Sequence, residues 1–71
     1  MSKRQWNAVR ARICESLAEQ ALSPTQHDYK KAAMFYGKAL QLAPRRLDRA
    51  RLFARMQEAK FVAGLFKPRA A

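Results

Sequence analysis

The sequence predicts an all-α domain folded as a three-helix hairpin or bundle, and three observations carry that prediction. Apolar residues recur at steps of three and four along most of the chain. Pro24 and Pro44 divide this pattern into separate segments. Glycine and proline together fill only five positions while apolar residues make up 49% of the chain, a composition that suits a folded helical domain rather than a disordered basic tail. The expected helices run over about 3–22, 24–43 and 45–65, within one domain spanning 1–71 whose last residues, 67–71, form a flexible tail.

In the first segment Trp6, Val9, Ile13, Leu17 and Ala21 make one apolar stripe, with Arg12, Glu15 and Glu19 opposite. That stripe is expected to face the core. Cys14 and Ala18 flank it, so the thiol reads as a small core residue, with no second thiol or adjacent base to make it reactive. A lone cysteine supports neither an intramolecular disulfide nor a structural zinc site and fits a reduced, cytoplasmic setting. With one histidine and five acids besides, no metal or cofactor is expected.

The second segment opens on Ser23-Pro24-Thr25-Gln26, which reads as a helix start: Ser23 as N-cap, Pro24 in the first turn and Gln26 as the capping-box partner. Its stripe is Tyr29, Ala32, Ala33, Tyr36, Ala39, Leu40 and Ala43, and Pro44 ends it for lack of an N–H. Gly37 lies at the edge of that face. A single mid-helix glycine is no phosphate loop, so close approach of a neighbouring helix is its expected role.

The third segment carries two apolar stripes on opposite sides at 100° per residue. Leu47, Ala50, Ala54, Phe61 and Leu65 form one, and Leu52, Met56, Ala59, Ala63 and Phe66 form the other. A three-helix hairpin needs only one, so the second stripe is expected to pack on another chain, and Leu52, Met56, Ala59, Ala63 and Phe66 are assigned as a protein interface, most simply of a homodimer. The alternative is a monomer in which the third helix fills the groove between the other two. A core of this size supplies only about 3–5 kcal/mol, which favours the dimer.

The run Asp28-Tyr29-Lys30-Lys31-Ala32, continued by Tyr36, Ala39, Leu40, Leu42 and Pro44, resembles the second helix of a tetratricopeptide repeat (TPR). Ala32, Tyr36, Ala39 and Pro44 keep that family's steps of four, three and five. Leu17 and Ala18 take the first-helix positions if the turn around Ser23 to His27 holds two extra residues, and Phe53 and Ala54 fall where a following repeat begins. The resemblance covers roughly residues 14–57. It implies antiparallel helical packing, protein binding on a helical surface, and self-association, since one repeat alone cannot bury its face.

Charge supplies the functional expectation. The chain carries a net +10, and six of those charges lie after Pro44, where Arg45, Arg46, Arg49, Arg51 and Arg55 crowd together. Such a surplus points to an acidic partner. The first turn of a helix disfavours cations, so Arg45, Arg46 and Arg49 make physical sense if a phosphate sits there, held by free N–H groups and guanidinium forks. Asp48 offsets them in part. Lys30, Lys31 and Lys38 extend the basic patch on the second helix, and Lys3, Arg4, Lys60, Lys67 and Arg69 are weaker contacts. Nine of the fifteen basic residues are arginine, the better residue for bidentate phosphate recognition.

Two functions are therefore expected. The first is a small, non-enzymatic nucleic-acid-binding protein, dimeric, holding DNA or RNA phosphates through an Arg-rich third helix. No zinc finger, RNP or Gly-containing helix-turn-helix accompanies the charge, so base reading is not expected. Stacking on bases is open to Trp6, Tyr29, Tyr36 or Phe53, although the first three lie on core stripes. The second is an adaptor or inhibitor, of the phage or plasmid accessory type, steered onto an acidic protein partner. Membrane binding through Phe61 to Lys67 ranks below both, and no apolar run approaches a membrane span. Lys3, Arg4, Arg10 and Arg12 precede any acid, as in a transit peptide, but Glu15 and Glu19 follow at once. His27 beside Asp28 lacks a nucleophile to complete a catalytic set, so it reads as a capping or solvent-facing residue.

Overall fold

The computed structural model describes residues 2–64, and these form three helices: α1 over Lys3–Ala21, α2 over Tyr29–Leu42 and α3 over Arg46–Val62. The expected tail at 67–71, together with Leu65 and Phe66, lies outside the described residues. No strand occurs among those described, as the all-α reading requires.

α1 starts on a reciprocal cap. The Gln5 amide donates to Ser2 Oγ at 3.2 Å while the Ser2 amide donates to Gln5 Oε1 at 2.9 Å. The start of α2 differs from expectation. Ser23, Pro24, Thr25 and Gln26 close a single turn in which Ser23 Oγ meets Thr25 Oγ1 at 3.0 Å and the His27 amide donates to the Ser23 carbonyl at 2.9 Å. His27 then takes a left-handed φ of 47°, which breaks the turn. Asp28 is the real cap: its carboxylate accepts from the Lys31 amide at 3.0 Å, and its own amide donates to the Ala21 carbonyl at 2.8 Å. α3 stops earlier than expected because Gly64, at a φ of 76°, reverses the chain and donates to the Phe61 carbonyl at 3.1 Å.

α2 is the central element, with α1 and α3 both packed on it. The buried set is Ala11, Ala18 and Ala21 from α1, Ala32, Ala33, Tyr36 and Ala39 from α2, Ala43 in the following turn, and Leu52 and Ala59 from α3. Cys14 and Met56 pack against this cluster, as does Leu40.

The core is thus mostly methyl groups, and this overturns the expected face of α1. Trp6, Val9, Ile13 and Leu17 are exposed, while the small residues at 11, 14, 18 and 21 turn inward. Both stripes have helical spacing. Alanine facing alanine lets two helix axes approach more closely than a tryptophan or leucine stripe allows, and Ala18 of α1 and Ala32 and Ala39 of α2 are all fully buried where these helices pack. On α3 the same choice falls the other way: Leu52 and Ala59 are buried against the chain's own core, and Leu47, Ala50, Ala54 and Phe61 face outward. Of the stripe assigned to a protein interface, Leu52 and Ala59 are thus taken up by the chain's own core, Met56 and Ala63 are half-buried, and Phe66 lies outside the described residues.

Gly37 does mark a close approach, as expected. A methyl group placed there would stand 3.4 Å from Met56 Sδ, at the edge of ordinary contact. The thioether is flexible enough to yield. Gly37→Ala is accordingly expected to stabilise the fold by about 0.5–1 kcal/mol through helix propensity, measured as a raised urea midpoint with an unchanged m-value.

Candidate anion-binding interface

The arginines that crowd together in sequence are divided among different surroundings by the turn of α3. Arg51 reaches across to α1, where its guanidinium holds the Glu15 carboxylate at both oxygens, the second at 3.1 Å, and its Nη2 stands 3.7 Å from Asp48. Arg55 lies 4.0 Å from Glu58, one turn along the same helix. Their charges are largely matched in place. Among the described residues no acid stands within ion-pair distance of Arg45, Arg46 or Arg49.

The Glu15–Arg51 pair is the tie between α1 and α3. Hydrogen bonding by Arg51 holds the Glu15 carboxyl below the ordinary carboxylate range; partial burial opposes that, and the charges of Arg51, Arg12 and Arg55 reinforce it. A carboxylate with a depressed folded pKa stabilises above its unfolded pKa of about 4.3 and loses this contribution as pH falls through the folded value. Acidification below about pH 4.5 should therefore lower the thermal midpoint of the wild type, and Glu15→Gln should lack that component. Because the Arg51 side chain is half exposed, the contribution is at most about 1 kcal/mol.

Two separate regions adjoin α3. Between α1 and α3 lies a cleft of about 580 Å³ with an apolar floor of Ala8, Ala11, Ala43 and Leu52 and a rim of mixed sign, Arg12, Arg45 and Arg51 with Glu15 and Asp48. On the α2 side of α3 positive charge predominates, with Asp28 the one acid. A groove of about 730 Å³ is bordered by Lys30, Lys31, Lys38 and Lys60 over Ala33, Met34, Gly37 and Met56. A further cavity of about 460 Å³ near the end of α2 is lined by Leu40, Pro44, Ala50 and Phe53 with Arg46 and Arg49. Arg46, Arg49, Phe53, Met56 and Lys60 follow one another at steps of three and four, which places them along one flank of α3.

Only Asp28 among the residues lining these two cavities is acidic, and its Oδ1 accepts from the Lys31 amide as the helix cap. Lys38 stands 5.7 Å from the centroid of the Phe35 ring, a cation–π distance. Arg45 is the N-cap residue of α3 and caps nothing with its side chain, so the first N–H groups of the helix have no side-chain acceptor, with Asp48 the one acid in that turn.

Of the residues expected to contact an anion, the structure brings Lys30, Lys31 and Lys38 to one groove and Arg46 and Arg49 to the cavity near it. It sets Arg45 and Arg51 on the α1 side and pairs Arg51 and Arg55 with acids. Lys60 belongs to the first group more closely than expected, and its step from Arg46, Arg49 and Phe53 is the signal that finds it. Of the aromatic candidates Tyr36 is buried and Tyr29 half-buried, while Trp6 and Phe53 are open to solvent. Among the described residues no group of His, Cys, Asp and Glu side chains is arranged to hold a metal ion, and no helix is long and apolar enough to cross a membrane. Comparison with protein families, with curated proteins and with solved structures finds no match to this chain.

Proposed function

We propose that this protein binds nucleic acid through phosphate contacts on the α2 side of α3, without catalysis and without direct base reading. One observation carries the proposal: Lys30, Lys31, Lys38, Lys60, Arg46 and Arg49 line neighbouring cavities in which Asp28, already engaged as a helix cap, is the single acid. Unmatched cations on one flank attract a polyanion, and arginines beside the uncapped start of α3 suit phosphate oxygens. Phe53, exposed between Arg49 and Lys60 on that flank, supplies a stacking face for a single-stranded partner.

Such binding is driven by counterion release. For five or six phosphate contacts, log K against log salt is expected to fall with a slope of about −5 on duplex DNA, read by fluorescence anisotropy of a labelled oligonucleotide. A salt-independent affinity, or none at low salt, overturns the proposal. The adaptor reading keeps one observation in its favour, the outward stripe on α3 that carries the exposed Leu47 and Phe61. A stoichiometric protein partner recovered after nuclease treatment, and lost on Leu47→Asp, decides for that reading.

A further inference from the structure

Positive charge and apolar surface occur side by side in the groove between α2 and α3. Lys30, Lys31 and Lys38 from α2 and Lys60 from α3 line it together with Met34, Gly37 and Met56. Met34 is 49% exposed there. Beyond its own stretch of helix, Gly37 has the Met56 thioether as the one group within 4 Å of the place a methyl would take, so the apolar part of the groove is recessed.

The neighbouring cavity continues this groove along the seam of the two helices. Phe53, which lines that cavity, lies three residues before Met56 on α3, and Leu40 of the same cavity is next to Gln41 of the groove. From Arg46 to Lys60 the flank runs about 21 Å along the helix axis. Cations thus alternate with an exposed aromatic ring and a methionine-lined recess over that length.

A double helix cannot use both features. Its phosphates lie outermost and its bases are stacked within, so seated on the lysines it leaves Met34 and Phe53 facing water. A single strand turns unpaired bases away from its phosphates and offers flat apolar faces and anions at once. An acidic amphipathic helix also matches a lysine-bordered groove, but here the cations continue past Met56 to Arg46 and Arg49 beside Phe53, an order that suits successive nucleotides.

Resting on the phosphate-binding reading above, we propose that the ligand of this flank is single-stranded nucleic acid. One unpaired base sits over Met34 and Met56, another stacks on Phe53, and the lysines of the groove with Arg46 and Arg49 hold the phosphates. Electrostatics alone ranks the ligands the other way, because each phosphate contact releases about 0.9 counterion from a duplex and about 0.7 from a single strand. A preference for the single strand therefore reports on the bases.

The test compares three labelled ligands of equal phosphate number by anisotropy at one salt concentration: an oligothymidylate, a hairpin duplex and a strand of abasic sites. The oligothymidylate is expected to bind roughly ten- to thirtyfold tighter than the other two. Phe53→Ala should weaken its binding about tenfold and Met34→Gln about threefold, both at exposed positions, with duplex affinity and helical circular dichroism unchanged. Met34→Leu should keep the wild-type preference. Equal binding of all three ligands overturns the seating of bases and leaves the phosphate reading standing, whereas binding of none overturns both. The proposal also fails if neither Phe53→Ala nor Met34→Gln changes oligothymidylate affinity, or if an acidic amphipathic peptide binds more tightly and displaces the strand.

Discussion

Leu52→Ala is expected to cost about 2–5 kcal/mol, which removes most or all of the stability that a core of this size supplies. Leu52 is 2% exposed and is the largest fully buried side chain. Its neighbours in the core are mainly alanines, and a buried methyl contributes only about 0.8 kcal/mol against about 1.5–3 kcal/mol for a buried leucine. Alanine side chains are also too short to close the cavity that the truncation leaves. Leu47, 84% exposed on the opposite side of α3, should tolerate the same change within about 0.5 kcal/mol. Urea unfolding followed by circular dichroism separates the two. A destabilising Leu47→Ala beside a neutral Leu52→Ala means that α3 is turned over relative to the fold described.

The second large effect concerns which arginines meet phosphate. Arg46→Ala/Arg49→Ala and Arg51→Ala/Arg55→Ala remove the same formal charge, so a diffuse electrostatic coat predicts equal losses. The structure predicts unequal ones. Removing Arg46 and Arg49 should flatten the log–log salt slope by about two, one for each lost phosphate contact. Removing Arg51 and Arg55 should change that slope by well under one, because these side chains already face Glu15, Asp48 and Glu58. Anisotropy titrations at several salt concentrations distinguish the outcomes, and equal changes in slope would falsify the localised interface.

The periodic parts of the fold are legible in the chain itself. Trp6 to Ala21, Tyr29 to Ala43 and Leu47 to Phe61 repeat at three and four residues, and each became a helix. Pro44 marks the junction of α2 and α3, and Gly37 marks their close approach. The start of α2 was less legible because Ser23-Pro24-Thr25-Gln26 satisfies the rules for a helix start and for a single turn equally well. What separates them is the left-handed backbone of His27, a residue with no strong local preference for it, and the competing cap of Asp28. The candidate interface was half legible. Its cations can be named from composition, but Arg51 joins Glu15 across 36 positions of chain, and no local pattern announces that partnership.

Sequence alone determined three helices, a large positive charge concentrated after Pro44, one apolar stripe on α1 with Cys14 and Ala18 at its edge, and two on α3. Tertiary structure alone decided which stripe turns inward. On α1 it is the small residues and on α3 it is Leu52 with Ala59, because helices meeting across the alanines of α2 pack closest where both surfaces are small and leave room for one large side chain. That rotation of α1 and α3 also fixes the chemistry outside the core. It exposes Trp6, Val9, Ile13 and Leu17, brings Arg51 to Glu15, and turns Arg46, Arg49 and Lys60 to the flank beside the lysines of α2. Amphipathic spacing is a property of one helix, whereas the choice between two amphipathic faces depends on the shape of its neighbour.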